Sequence, residues 1–293
     1  MNLTTKFLFK VKNRKRALTL KFFNILTAAS ALIILSSCVS NNFTKTRVAK
    51  TLAEKNGFKQ KLVKGNNFWF TTFQNIKSEK LPYVIYIEGD GTPFAGRNRI
   101  SNDPTPKNPM MLDLATKDPR INVVYIARPC QYTPMEMNPA CNKLYWTDKR
   151  MSEDSVFAMN DAIKKIAGDN PVDLVGFSGG GGMAVLIAVK NKNVRTILTI
   201  AGNLDHVEFN KYHNVRPMIG SLNPIDFAKD ISNIPQLHVS GGRDTIVPAF
   251  ITDKFVERSN SNCVNREIIP NASHQRHWNS YWSYIISIPI KCR

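Results

Sequence analysis

The residues able to do chemistry gather around one serine. Gly176-Phe177-Ser178-Gly179-Gly180 reads G-x-S-x-G, and it joins the apolar run Val172–Phe177 to a helix-like stretch, Gly181–Lys190. A serine hydroxyl is a weak nucleophile. It attacks an acyl carbonyl only when it is held in the open beside a base that is itself oriented by a carboxylate. A sharp, strained strand-to-helix turn supplies the first condition, and glycine neighbours are what such a turn tolerates. The same glycines could serve merely to pack a helix against a sheet, but that use would leave the downstream partners unexplained.

On a turn of this kind the acid and then the histidine follow the serine along the chain. Of the five histidines, His206, His213 and His238 precede any acid placed after the late strand Gln236–Ser240. His274 and His277 remain. His274, in "PNASHQRHW", lies just past the strand Val264–Ile269, where a loop can carry it over Ser178. His277 abuts an aromatic helix that it would pack against or cap. Two carboxylates compete as the orienting acid. Asp244, in "LHVSGGRDTIVP", follows a strand and could instead cap the helix beginning near Pro248, while Asp205, in "AGNLDH", follows the preceding strand. Negative charge developing on the attacked carbonyl needs backbone N–H donors. Gly179 should give one. Asp90, in Glu88-Gly89-Asp90-Gly91 after the strand Tyr83–Glu88, should give the other through its amide, although a plain turn would use the same glycines.

Something must position these residues, and the pattern of elements supplies it. Two strand-like runs, Lys59–Val63 and Phe68–Phe73, open the folded region. Strand Tyr83–Glu88, helix Met110–Lys117, strand Asn122–Ala127, helix Ser152–Ala167, strand Val172–Phe177, helix Gly181–Lys190 and strand Val194–Ala201 then alternate. Strands Gln236–Ser240 and Val264–Ile269 follow, with helices near Phe250–Arg258 and Trp278–Ile286. Short apolar runs alternating with helices predict a mainly parallel sheet covered on both faces. The long interval Asn203–Pro235 carries "NPIDFAKDI", a short helix by pattern, and is expected to form a small lid over about 203–235.

From about Tyr83 to Ile286 the chain resembles an α/β-hydrolase, through the elbow at Ser178, "GGRDTIVP" with Asp244, and His274. The resemblance favours Asp244 over Asp205 as the acid. "EGDG" stands where many members carry an HG-type loop, with Glu88 in place of the histidine. More narrowly, "RPCQY", "AGNLDH" and "GSLNP" resemble a group of bacterial exported or lipoprotein hydrolases. The resemblance implies a serine hydrolase working through an acyl-enzyme, and the lid segment, too short for an elaborate peptide gate, favours carboxylic esters as its substrates. A peptidase or amidase of the same fold, or a non-catalytic envelope binding protein, are the alternatives. Tyr132, Asp205 and Phe209 are candidate pocket residues. No metal or other cofactor is expected, and a small acyl ester is the expected partner.

The N-terminus reads as an address. Seven of the 40 Lys and Arg fall within residues 1–37, with no acid among them, and "FFNILTAASALIILSSC" follows. This is the layout of a signal peptide. Leu35-Ser36-Ser37-Cys38 resembles the bacterial lipobox, which implies lipidation of Cys38, attachment to a membrane and a place in the cell envelope. Residues 38–55 read as a tether, and 56–293 as the hydrolase domain. The net charge of +18 is otherwise scattered, without the clustered pattern of a nucleic-acid binder. The four remaining cysteines suggest disulfides in an oxidising compartment. Four cysteines permit three connectivities, of which sequence proximity favours Cys130–Cys141 with Cys263–Cys292.

Overall fold

In strand β3 (Tyr83–Ile87), Ile85 and Ile87 enter one core while Val84 and Tyr86 enter a second on the opposite face. This is the period-two alternation of a strand buried on both sides. The computed structural model describes residues 44–96 and 99–293, so the signal-peptide region and Cys38 lie outside the described residues. The chain divides into two units, Met1–Thr44 and Lys45–Arg293, and the second carries the sheet.

The remaining strands are β1 (Lys59–Gly65), β2 (Phe68–Ile76), β4 (Asn122–Ile126), β5 (Val172–Phe177), β6 (Val194–Ile200), β7 (Gln236–Gly241) and β8 (Val264–Ile269). They form one 8-stranded sheet in the order β1-β2-β4-β3-β5-β6-β7-β8. β2 runs antiparallel to both β1 and β4, and every pairing from β4 through β8 is parallel. The parallel strands therefore send their carboxyl ends to one edge, where loops from different strands can meet.

Helices cover both faces. α3 (Glu153–Ala167), α4 (Gly179–Lys190) and α6 (Ala249–Ser259) pack on one, through Val156, Met159 and Ile163, through Met183 and Leu186, and through Ile251 and Phe255. α1 (44–55), α2 (Met110–Ala115) and α7 (Trp278–Ser287) cover the other; the rings of Trp282 and Tyr86 meet edge-on at 6.0 Å. Helix α1 occupies residues expected to be a tether. Ala49 and Ala53, one turn apart, are fully buried against the sheet, and Lys45 pairs with Asp103 at 2.7 Å.

The interval after β6 holds α5 (His206–Tyr212), and where "NPIDFAKDI" predicts a helix it holds only a single 3₁₀ turn, Pro224–Phe227. Ala228 and Ile231 from this interval are buried in the same core as α4, so its later half belongs to the body of the domain. Both expected disulfides are present, Cys130–Cys141 and Cys263–Cys292.

Candidate active site

Ser178 is the residue between β5 and α4, with φ 52° and ψ −122°. A non-glycine residue at positive φ costs about 1–3 kcal/mol and persists only where its surroundings over-determine it. Here they do. The Ser178 amide donates to Ile200 O at 3.0 Å, and its carbonyl accepts from Gly181 N and Asn203 N, each at 2.9 Å. The flanking glycines let backbone approach backbone. A Cβ at Gly176 would stand 2.2 Å from Gly180 O, and one at Gly180 would stand 2.4 Å from Glu88 O. That close approach is why α4 starts at Gly179, two residues earlier than the sequence pattern indicates: the glycines are the first turn of the helix.

His274 hangs on the loop between β8 and α7. Its carbonyl accepts from Trp278 Nε1 at 2.8 Å, and its ring lies 4.9 Å from that of Phe177. Nε2 is 3.1 Å from Ser178 Oγ, and Nδ1 is 2.9 Å from Asp244 Oδ2. An ionised carboxylate only accepts, so Nδ1 carries the proton and donates to Asp244, leaving Nε2 free to accept from the serine hydroxyl. The Asp244 side chain is fully shielded from solvent and that of His274 is 12% exposed. Asp244 Oδ1 accepts from Ile246 N at 2.8 Å and Val247 N at 2.9 Å. One oxygen therefore holds the turn before α6 while the other faces the imidazole.

Asp205, the rival acid, is committed elsewhere. Its Oδ1 accepts from Val207 N and Glu208 N, each at 3.1 Å, and from Asn223 Nδ2 at 3.0 Å, making it the N-cap of α5. His277 occupies the N-cap position of α7 with φ 74°, but its side chain is exposed and makes no capping bond. Tyr132 is buried, with its hydroxyl donating to Pro106 O at 3.2 Å. Phe209 is half-buried, its ring 4.6 Å from that of His213.

The loop after β3 lies against the elbow: a Cβ on Gly179 would stand 2.0 Å from Asp90 Oδ1. Neither the Gly179 amide nor the Asp90 amide has an acceptor among the described residues. The Asp90 carboxylate meets two guanidinium groups to which the sequence assigned no role in the site, Arg128 Nη1 at 3.3 Å and Arg150 Nη1 at 3.2 Å. Arg128 Nη2 also donates to Arg150 O. Arg128 had left a signal, a charged residue two positions after the apolar strand β4, at the start of "RPCQY". Glu88 is buried, with Oε1 accepting from Gly89 N at 2.9 Å and Oε2 from Tyr125 Oη at 3.1 Å. Burial outweighs these hydrogen bonds and pushes its carboxyl up to about 7. Among the described residues no group of three or more His, Cys, Asp or Glu is placed to hold a metal ion.

A hydroxyl, an oriented imidazole and two acceptor-free amides at the carboxyl edge of a parallel sheet can together perform acyl transfer. The family described as Serine hydrolase (FSH1) matches residues 131–275, a segment that includes Ser178, Asp244 and His274. No curated protein sequence matches the chain. Among solved structures, the Pyrococcus horikoshii acylaminoacyl peptidase is similar at 14% identity and a TM-score of 0.54, over 74% of this chain and 38% of that one. The chain thus spans well under half the length of that peptidase. Est1E from Butyrivibrio proteoclasticus is similar at 13% identity and a TM-score of 0.53, over 77% of this chain and 95% of that one. The Pyrococcus furiosus esterase Pf2001 is similar at 14% identity and a TM-score of 0.53, over 79% of this chain and 90% of that one. At these identities the likeness is one of fold.

Proposed function

We propose that the chain, a serine hydrolase of the α/β-hydrolase superfamily, cleaves carboxylic esters through Ser178, His274 and Asp244. The observation that carries this reading is the continuous hydrogen-bonded path from Ser178 Oγ through His274 to Asp244 Oδ2, at 3.1 and 2.9 Å. His274 Nε2 takes the hydroxyl proton as Ser178 Oγ attacks the acyl carbon. Asp244 holds the ring in the required tautomer and stabilises the imidazolium that forms. The amides of Gly179 and Asp90 receive the developing oxyanion, where preorganised donors contribute most. The imidazolium then gives its proton to the departing alcohol oxygen. Water, deprotonated by the same Nε2, releases the acyl group and restores Ser178.

An ester is favoured over an amide for two reasons. The interval 203–235 is short, and its later half is packed into the domain, which leaves little chain for a peptide gate. Pf2001, an esterase by name, is matched over 90% of its length, whereas the peptidase is matched over 38%. Comparing a p-nitrophenyl ester with the p-nitroanilide of the same acyl group tests this. The ester should have the higher kcat/KM by several orders of magnitude, and comparable values would make the protein an amidase. No turnover of either, by folded protein, would favour a binding role.

The region before the fold supports a lipid anchor at Cys38 in a bacterial cell envelope, since small residues precede this cysteine at the end of an apolar run. Metabolic labelling with a fatty acid should mark the full-length protein and not its Cys38→Ala variant. Equal labelling of both would remove the anchor from the proposal.

A further inference from the structure

Two arginines and one carboxylate lie beside the nucleophile, and they do not balance. Asp90 packs against Gly179, the residue following Ser178, and both Arg128 and Arg150 pair with its carboxylate. Arg128 is closed off from solvent: one Nη donates to Asp90 and the other to the Arg150 carbonyl, its Nε is buried without a partner, and its side chain is 4% exposed. Arg150 is not. Its guanidinium carries five N–H donors, yet among the described residues its one charged contact is the 3.2 Å ion pair with Asp90, and its Nε is buried without a partner. Its side chain is 12% exposed and that of Asp90 18%, so this edge of the cluster reaches solvent. Nearby, Asn203 donates its amide to Ser178 O while its side-chain Oδ1 is buried and unpaired. Glu88 interacts with Arg128, but its oxygens make no ion pair with Arg150, and burial pushes its carboxyl up to about 7. Two guanidinium groups share the single Asp90 carboxylate, and an anionic ligand meeting the partly exposed Arg150 would offset the charge left over.

We propose that Arg150 forms an anion subsite of the Ser178 centre, so that the preferred substrate is an ester bearing a carboxylate. This rests on the esterase reading above. The planar guanidinium presents paired donors that match a carboxylate in a way an ammonium or an amide cannot. Asp90 would hold that guanidinium in place while keeping its own amide toward the oxyanion. Substrate anion and nucleophile would thus be registered through a single loop.

The test uses two matched pairs of esters at about 0.15 M salt, where long-range attraction to the basic surface is screened. p-Nitrophenyl hydrogen adipate is compared with p-nitrophenyl hexanoate, placing the charge on the acyl side. 4-Acetoxybenzoate is compared with its methyl ester, placing the charge on the leaving group. In the wild type, kcat/KM should favour the acid of at least one pair by about tenfold or more, the scale of one charge-assisted hydrogen bond. In Arg150→Gln the ratio should fall toward one, and in Arg150→Lys it should be intermediate. Because the readout is a ratio within each protein, a general loss of activity cancels. Turnover of all four esters with no preference in the wild type, or a preference that survives in Arg150→Gln, overturns the subsite and leaves the esterase reading standing. A second measurement needs neither a variant nor ester turnover: adipate, and not adipamide, should slow fluorophosphonate labelling of wild-type Ser178. Equal protection by both, or by neither, overturns the subsite. Absence of turnover on all four esters sinks the esterase reading separately.

Discussion

At the scale of single residues, the site depends on what each carboxylate oxygen holds. Asp244 divides its two oxygens between a backbone turn and His274, whereas Asp205 directs Oδ1 to the start of α5. Replacing each by its amide separates the roles. Asp244→Asn can no longer fix the Nδ1–H tautomer and should lose about four orders of magnitude in kcat with little change in stability. Asp205→Asn keeps a competent cap and should lose far less activity. A crippled Asp205→Asn beside an active Asp244→Asn, in one esterase assay, would reverse the assignment. The choice was legible because order along the chain left two histidines and because "GGRDTIVP" has a recognisable form. Arg128 and Arg150 were not legible in the same way. They are 22 positions apart, and the fold brings them together through a direct hydrogen bond and through Asp90, on a loop earlier in the chain.

At the scale of elements, the end of β3 matters most, since it delivers the loop that carries Asp90. Glu88 fastens that end by accepting from Gly89 N and from Tyr125 on the neighbouring strand β4. Burial raises its pKa from 4.5 to about 7. Between those values the folded protein keeps a proton that the unfolded chain has released. Stability therefore falls as pH rises through this window, by up to about 1.4 kcal/mol per pH unit, and is fully present below it. Glu88→Gln has no proton to lose, so the Tm of the variant minus that of the wild type should increase from pH 5 to pH 8. His238, held neutral by burial, acts in the opposite sense but equally in both proteins. A difference in Tm that does not change with pH would show that Glu88 is not protonated in the fold. Most strands were readable as short continuous apolar runs, because the sheet is buried on both faces. Helix α1 was missed because its buried stripe is alanine, Ala49 and Ala53, which carries little hydrophobic signal in a stretch rich in lysine. The segment "NPIDFAKDI" was over-read as a helix because Pro224 favours a helix start, yet the turn ends after four residues.

At the scale of the whole molecule, the order β1-β2-β4-β3-β5-β6-β7-β8 brings together residues scattered from Asp90 to His274. Each comes from the carboxyl end of a different parallel strand: β3, β5, β7 and β8. The Cys263–Cys292 bridge ties the chain end to the start of β8, reinforced by Arg293 N donating to Asn262 O at 3.0 Å. Cys130–Cys141 closes the loop after β4, and bridges of this kind each stabilise by about 2–4 kcal/mol. This scaffold has one purpose in the proposed account, to hold an imidazole against the hydroxyl of Ser178 so that this serine, and no other, becomes nucleophilic. Fluorophosphonate treatment followed by peptide mass spectrometry measures that directly. The account predicts a stoichiometric adduct on Ser178 that forms rapidly in the wild type and is nearly abolished in His274→Ala. An unmodified Ser178 in folded protein, or an adduct carried by a different serine, would contradict it.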